Sequence, residues 1–296
     1  MKYALLRSGG LLLAFAIGGL LPVLSGWSSL IRPLLVFMLF SSCLKVEPSW
    51  RMFRLSQGVS MLFGAGLAVL VWRLLLPLDE PLAQAAFFAA ITPTATAAPA
   101  IVGMIGGDVS YAVAAFLLSG VGISLLLPLL IPLVLHTGGV PVQLVGDVFC
   151  RIGGVMFLPL ATALALRRFF PVRAEALARR LGPWSFFAWI FVVVLITANA
   201  RAFIDALPEV PWSLLGAITV VVGVICAINF LAGYFIGGRY RLECSQCLGQ
   251  KNNSYTVYLA LAYANPIVAL GPTIYVFFHN AWNAIQLYRH HAGESR

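Results

Sequence analysis

Apolar residues in this chain come in long unbroken runs; they neither alternate at every second position nor recur on one helical face. Each run is about 20 residues long, the length a helix needs to cross the hydrocarbon core of a bilayer. Ten such runs are read at about 6–24, 27–46, 56–77, 83–105, 109–135, 143–166, 183–204, 212–237, 245–265 and 267–288. The pattern predicts an all-α polytopic membrane protein with ten transmembrane helices. Composition points the same way: the 296 residues are 61% hydrophobic and 10% charged, where soluble proteins average about 45–50% and 25%. Ten spans with short connectors leave no room for a globular domain outside the membrane. The first run follows Lys2 and Arg7 but outlasts a signal-peptide core, and no A-x-A site follows, so it is read as a span.

The formal net charge of +9 would suggest nucleic acid in a soluble chain. Here it has a topological explanation. If both termini are cytoplasmic, 14 of the 19 Lys and Arg residues fall in inside ends and loops, and only Arg32, Arg73 and Arg201 fall outside. That bias follows the positive-inside rule and predicts a multi-pass protein of the inner (plasma) membrane, with N- and C-termini in the cytoplasm and no nucleic-acid partner. The five cysteines are scattered through apolar runs. Cys244 and Cys247 form a C-x-x-C with no second pair and no nearby His, so neither a disulfide framework nor a zinc site is expected. No cofactor and no protein partner is indicated; the expected partner besides substrate is the lipid bilayer.

Spans four and nine break the apolar pattern. Span four contains Thr92, Pro93, Thr94, Thr96 and Pro99, and a proline inside a helix removes a hydrogen bond and clashes with the preceding turn. Span nine contains Gly249, Gln250, Lys251, Asn252, Asn253 and Ser254, none of them suited to face lipid. Irregular backbone at membrane depth is tolerated only where protein buries it or where it lines a cavity. Gln250 lies 156 residues after Thr94, close to half the chain. This spacing predicts two five-helix repeats of opposite orientation, 1–137 and 138–296, each with a discontinuous helix. Interrupted helices at matching places in two halves point to the binding site of a secondary transporter.

With these residues in place, the stretch from Thr94 through Gly107, Asp108, Val109, Pro128 and Pro132, together with the stretch from Gly249 through His279 and Asn280, resembles the bile acid:sodium symporter family. The two stretches cover some 80 residues. The resemblance implies a fold in which helices 4 and 9 cross within a six-helix core (56–77, 83–105, 109–135, 212–237, 245–265, 267–288) beside a four-helix panel (6–24, 27–46, 143–166, 183–204). It also implies alternating-access transport of a small organic anion, such as a small carboxylate or a sterol-type anion, driven by sodium. The crossover residues expected to line the substrate path are Thr92, Thr94, Thr96, Pro99, Gln250, Lys251, Asn252, Asn253, Ser254, His279 and Asn280.

The chain departs from the family where sodium should bind. The family's ligand positions fall on Ala98, Pro99, Ala112, Phe116 and Cys247 or Leu248, none of which offers the side-chain oxygen a hard cation prefers. An intramembrane lysine is costly and marks function by default. Lys251 is therefore expected either to replace sodium as a fixed positive charge, giving uniport or exchange, or to carry a coupled proton. The coupling ion is Na+ or H+, and a sodium-coupled symporter with altered ligands is the alternative. In a third reading Lys251 lies near the cytoplasmic end of its span and snorkels to water.

Other polar residues are weighed similarly. Asp147 and Arg151 are four apart and expected to pair on one helix face, and Asn199 and Asn229 are candidate cavity liners. An intramembrane enzyme or sensor is the rival class. Ser254 stands three residues from Lys251, but no G-x-S-x-G or H-E-x-x-H accompanies it, so no catalytic residue is assigned.

Overall fold

The computed structural model describes residues 10, 13–44, 50–136, 158–206 and 212–294. Among these the chain forms helices and no strand. Helix α1 (13–20) passes through a 3-10 helix, Pro22–Leu30, into α2 (Ile31–Cys43). Then follow α3 (Leu55–Leu75), α4 (Glu80–Ala90), α5 (Ala98–Met104), α6 (Val109–Leu135), α7 (158–169) and α8 (Pro171–Asp205). The chain continues with α9 (Trp212–Ile236), α10 (Arg241–Gly249), α11 (Asn253–Tyr263) and α12 (Pro266–Glu294). The loop at Thr137–Pro141, most of the run at 143–166 and the Asp147–Arg151 pair lie outside the described residues, as do Lys2 and Arg7.

Five described stretches are long and apolar enough to cross a membrane: Pro22–Ser41, Leu55–Leu75, Val109–Leu127, Pro171–Asn199 and Trp212–Ile236. Their outer faces carry exposed leucines and aromatics, such as Leu62, Leu70, Leu125 and Phe235, which only an apolar surrounding accommodates at this density. The protein is all-α and membrane-embedded.

Local chemistry sets the helix ends. Asp79 caps α4 by accepting the Leu82 N–H at 2.7 Å, and Asp108 caps α6 by accepting those of Ser110 and Tyr111 at 2.8 and 3.2 Å. Each pairs amides that the first turn leaves free. The segment 167–182, between the sixth and seventh apolar runs, is mostly helical. Pro171 opens α8, where its missing N–H costs nothing, and Glu175 pairs with Arg179 one turn on at 3.0 Å. The result is a 35-residue helix, about 52 Å long, that carries its charged first turns directly into an apolar span.

Two cores follow from the packing. In the first, α4 is buried on every side from Leu82 to Ala90 and packs against α3, α9 and α12. Gly271 of α12 permits that contact, because a Cβ there would collide with the Ala85 carbonyl. In the second, Met38 of α2 and Trp189 and Val193 of α8 pack against Ala100 and Ile101 of α5. In lipid such contacts gain from close packing, since no water is released between apolar helices. The segments between α4 and α5 and between α10 and α11 lie where the two cores meet.

Candidate functional site

Two prolines make the first break. Pro93 has no N–H to give the Ala89 carbonyl, and α4 ends at Ala90. The Thr92 hydroxyl turns back over the freed turn, 2.9 Å from the Phe88 carbonyl and 3.4 Å from that of Ala89. Pro99 stands in the first turn of α5, where a proline is tolerated. One proline stops a helix and the other starts the next.

No proline lies in the second break. Gln250 turns extended after Gly249, with ψ 117°, and α11 begins at Asn253. The two breaks meet as a short antiparallel bridge between Thr94 and Lys251. The Ala95 N–H donates to the Gln250 carbonyl and the Asn252 N–H to the Pro93 carbonyl, both at 2.9 Å. Side chains pair further main-chain groups. The Thr94 hydroxyl donates to the Cys247 carbonyl at 2.7 Å, Tyr275 to the Gly249 carbonyl at 2.9 Å, and Ser119 accepts the Thr94 N–H at 3.1 Å. Backbone that leaves helical geometry inside an apolar body must find such partners.

A cavity lies on each side of the bridge. The smaller is lined by Gln57, Ser60 and Gly64 of α3, by Thr92 and Thr94, by Ser119 of α6 and by Lys251. The larger opens between the two cores: Trp189 of α8 and Leu35 of α2 face Thr96, Gln250, Asn252, Asn253, His279 and Asn280. There the Asn253 amide lies 3.3 Å from His279 Nδ1, and Trp189 Nε1 donates to Asn280 Oδ1 at 3.3 Å. Asn253 Oδ1 is buried with no hydrogen-bond partner among the described residues. No carboxylate lines either cavity among the described residues.

Lys251 is 5% exposed, so its side chain does not snorkel to the surface. Its Nζ ends beside Gly64. Thr92 and Thr94 thus border the smaller cavity, while Thr96, Gln250, Asn252, Asn253, His279 and Asn280 border the larger, and Lys251 touches both. Pro99 is buried in α5 and lines neither. Ser254 sits in the first turn of α11, and its side chain lies outside the described residues.

Two sequence expectations are corrected. Asn199 is exposed on α8, facing outward one turn beyond the cavity-lining Ile196. Asn229 is fully buried but donates to the Tyr275 hydroxyl at 3.2 Å and lines neither cavity. Sequence reasoning missed Trp189, Ser119, Gln57 and Ser60. The last two, with Gly64, recur at helical spacing in an otherwise apolar run, a signal that was available.

The positions that resemblance assigns to sodium do not suit it. Ala112 and Cys247 pack with Val102, Tyr111, Ala115 and Cys244 in an apolar cluster, while Phe116 belongs to another against α2 and α7. Ala98 and Pro99 are buried in α5, and Leu248 contributes only methyl groups to the smaller cavity. Such a set lacks the oxygens a hard cation needs. In comparison with known proteins, the chain matches no family model and no curated sequence.

Proposed function

We propose that the protein is a secondary active transporter of the bile acid:sodium symporter type, moving a small organic anion across the membrane by alternating access. The single observation that carries this reading is the buried Thr94–Lys251 bridge, where two interrupted helices meet with a polar cavity on either side. Half-helices joined by irregular backbone at one point are the arrangement by which transporters present main-chain groups to a ligand at mid-membrane. In this reading ten spans form two inverted five-helix repeats with both termini cytoplasmic. The α2–α8 layer is the panel, and the helices around α4 are the core that moves against it.

The larger cavity is the substrate site. Its lining offers the amides of Asn252, Asn253 and Asn280, the imidazole of His279 and the hydroxyl of Thr96, with the Lys251 charge on the far side of the bridge. Such a set suits a carboxylate, and its walls of Trp189, Val192 and Val193 suit an apolar body behind it. Counterflow of labelled carboxylates in proteoliposomes tests the reading, with pyruvate, pantoate and a bile acid as the panel. Saturable exchange of at least one anion, weakened in Asn253→Ala, is expected. Exchange of organic cations and of none of the anions overturns it.

A further inference from the structure

The Lys251 ammonium lies in the smaller cavity, away from the proposed substrate. A Cβ placed on Gly64 would lie 3.4 Å from Nζ and 3.2 Å from Leu248 Cδ1, and Gly64 lines the smaller cavity and not the larger. Gln57, Ser60 and Gly64 follow one another at spacings of three and four, hence along one face of α3. They run inward from the helix end where Arg54 is exposed. The hydroxyls of Thr92, Thr94 and Ser119 complete the wall. Nζ makes no hydrogen bond or ion pair with the described residues. The titratable groups facing it are Cys226 of α9 and Cys247 of α10. Tyr275 of α12 stands beside Cys226, and His279 of the same helix lines the larger cavity. Among the described residues α3, the α4–α5 break and α6 present none to this cavity.

A full charge buried with no counter-ion is costly, and an anion across the bridge supplies one. Resting on the transport reading above, we infer that Lys251 carries a proton that travels with the anion, loaded through the small cavity along Gln57, Ser60 and Gly64. In the loading step the Nζ lone pair forms an N–H bond with a proton from hydronium, leaving water; release is the reverse. One proton with one monoanion moves no net charge, and sodium takes no part.

The test uses the full chain in proteoliposomes with labelled pyruvate as probe. Counterflow without any gradient tests the transport reading by itself. For the coupling, an exterior one pH unit more acidic than the lumen is expected to concentrate pyruvate about tenfold, since proton and anion accumulate together, and an inward sodium gradient is expected to concentrate none. Accumulation driven by sodium overturns the inference, as does proton-driven accumulation that persists in Lys251→Met. The route has a readout independent of substrate: in Ser60→Cys the new thiol is expected to react with a charged methanethiosulfonate reagent beyond the labelling of the unsubstituted chain. A thiol that stays unlabelled overturns the loading path. Missing counterflow of every anion of the panel, together with a labelled Ser60→Cys, leaves the wet path standing and overturns the transport reading.

Discussion

The two breaks look alike in outline and differ in cause. Between α4 and α5 the irregularity is written into covalent structure, because Pro93 and Pro99 have no amide hydrogen to give a helix. Between α10 and α11 no residue forbids a helix. The unwound turn is held by partners elsewhere: the Thr94 hydroxyl on the Cys247 carbonyl, Tyr275 on the Gly249 carbonyl, and the Phe230 ring packed where a Gly249 side chain would be. The first break therefore exists before the tertiary structure forms, whereas the second depends on it.

That difference ranks the expected effects of substitution. The buried thiols of Cys43, Cys226, Cys244 and Cys247 report unfolding through a maleimide dye in thermal melts. The largest loss is expected for Gly249→Val, whose added carbons meet the Phe230 ring, itself stacked on Trp282 at 5.0 Å. Overpacking of this kind costs about 1–3 kcal/mol; a melting temperature equal to that of the unsubstituted chain would show that the second break is not packed as described. Next come Thr94→Val and Tyr275→Phe, each removing one donor from a freed carbonyl, at about 1 kcal/mol apiece on the scale of hydrogen bonds between helices in lipid. Their double variant sharpens the comparison: both act on one short segment, so the losses are expected to deviate from additivity. Strict additivity would mean that the two bonds hold separate things.

The smallest effect is expected for Pro93→Ala, less than about 1 kcal/mol. The Thr92 hydroxyl already covers the freed turn, and the Pro93 carbonyl keeps its bond to the Asn252 amide. A loss as large as that of Gly249→Val would erase the distinction between the two breaks.

The same contrast explains what could be read from the sequence. Pro93 and Pro99 announce their break locally, and the run from Gly249 to Ser254 announces at least its polarity. The helices near these breaks, α3, α6 and α9, follow from apolar run length, because hydrophobicity in lipid is a local property. The direction of the Lys251 side chain was not legible: Gly64, nearly 190 positions earlier in the chain, opens the space for its ammonium. Trp189 carries no signal of its own, since an aromatic in an apolar span reads as packing until its indole N–H is seen against Asn280. The early start of α8 is hidden from apolar run length, because its first turns are charged. Residues such as Glu175 and Arg179 are good helix formers that also pair one turn apart.

The bridge between Thr94 and Lys251 is made by main-chain atoms, with donors on Ala95 and Asn252 and acceptors on Gln250 and Pro93. Such bonds do not depend on which side chains the bridging residues carry. The crossing thus acts as a socket of fixed shape, and position 251 can be refitted with a different chemical group while the two chains stay joined. A substitution at position 251 can therefore change the charge beside the crossing without rebuilding the frame that holds it.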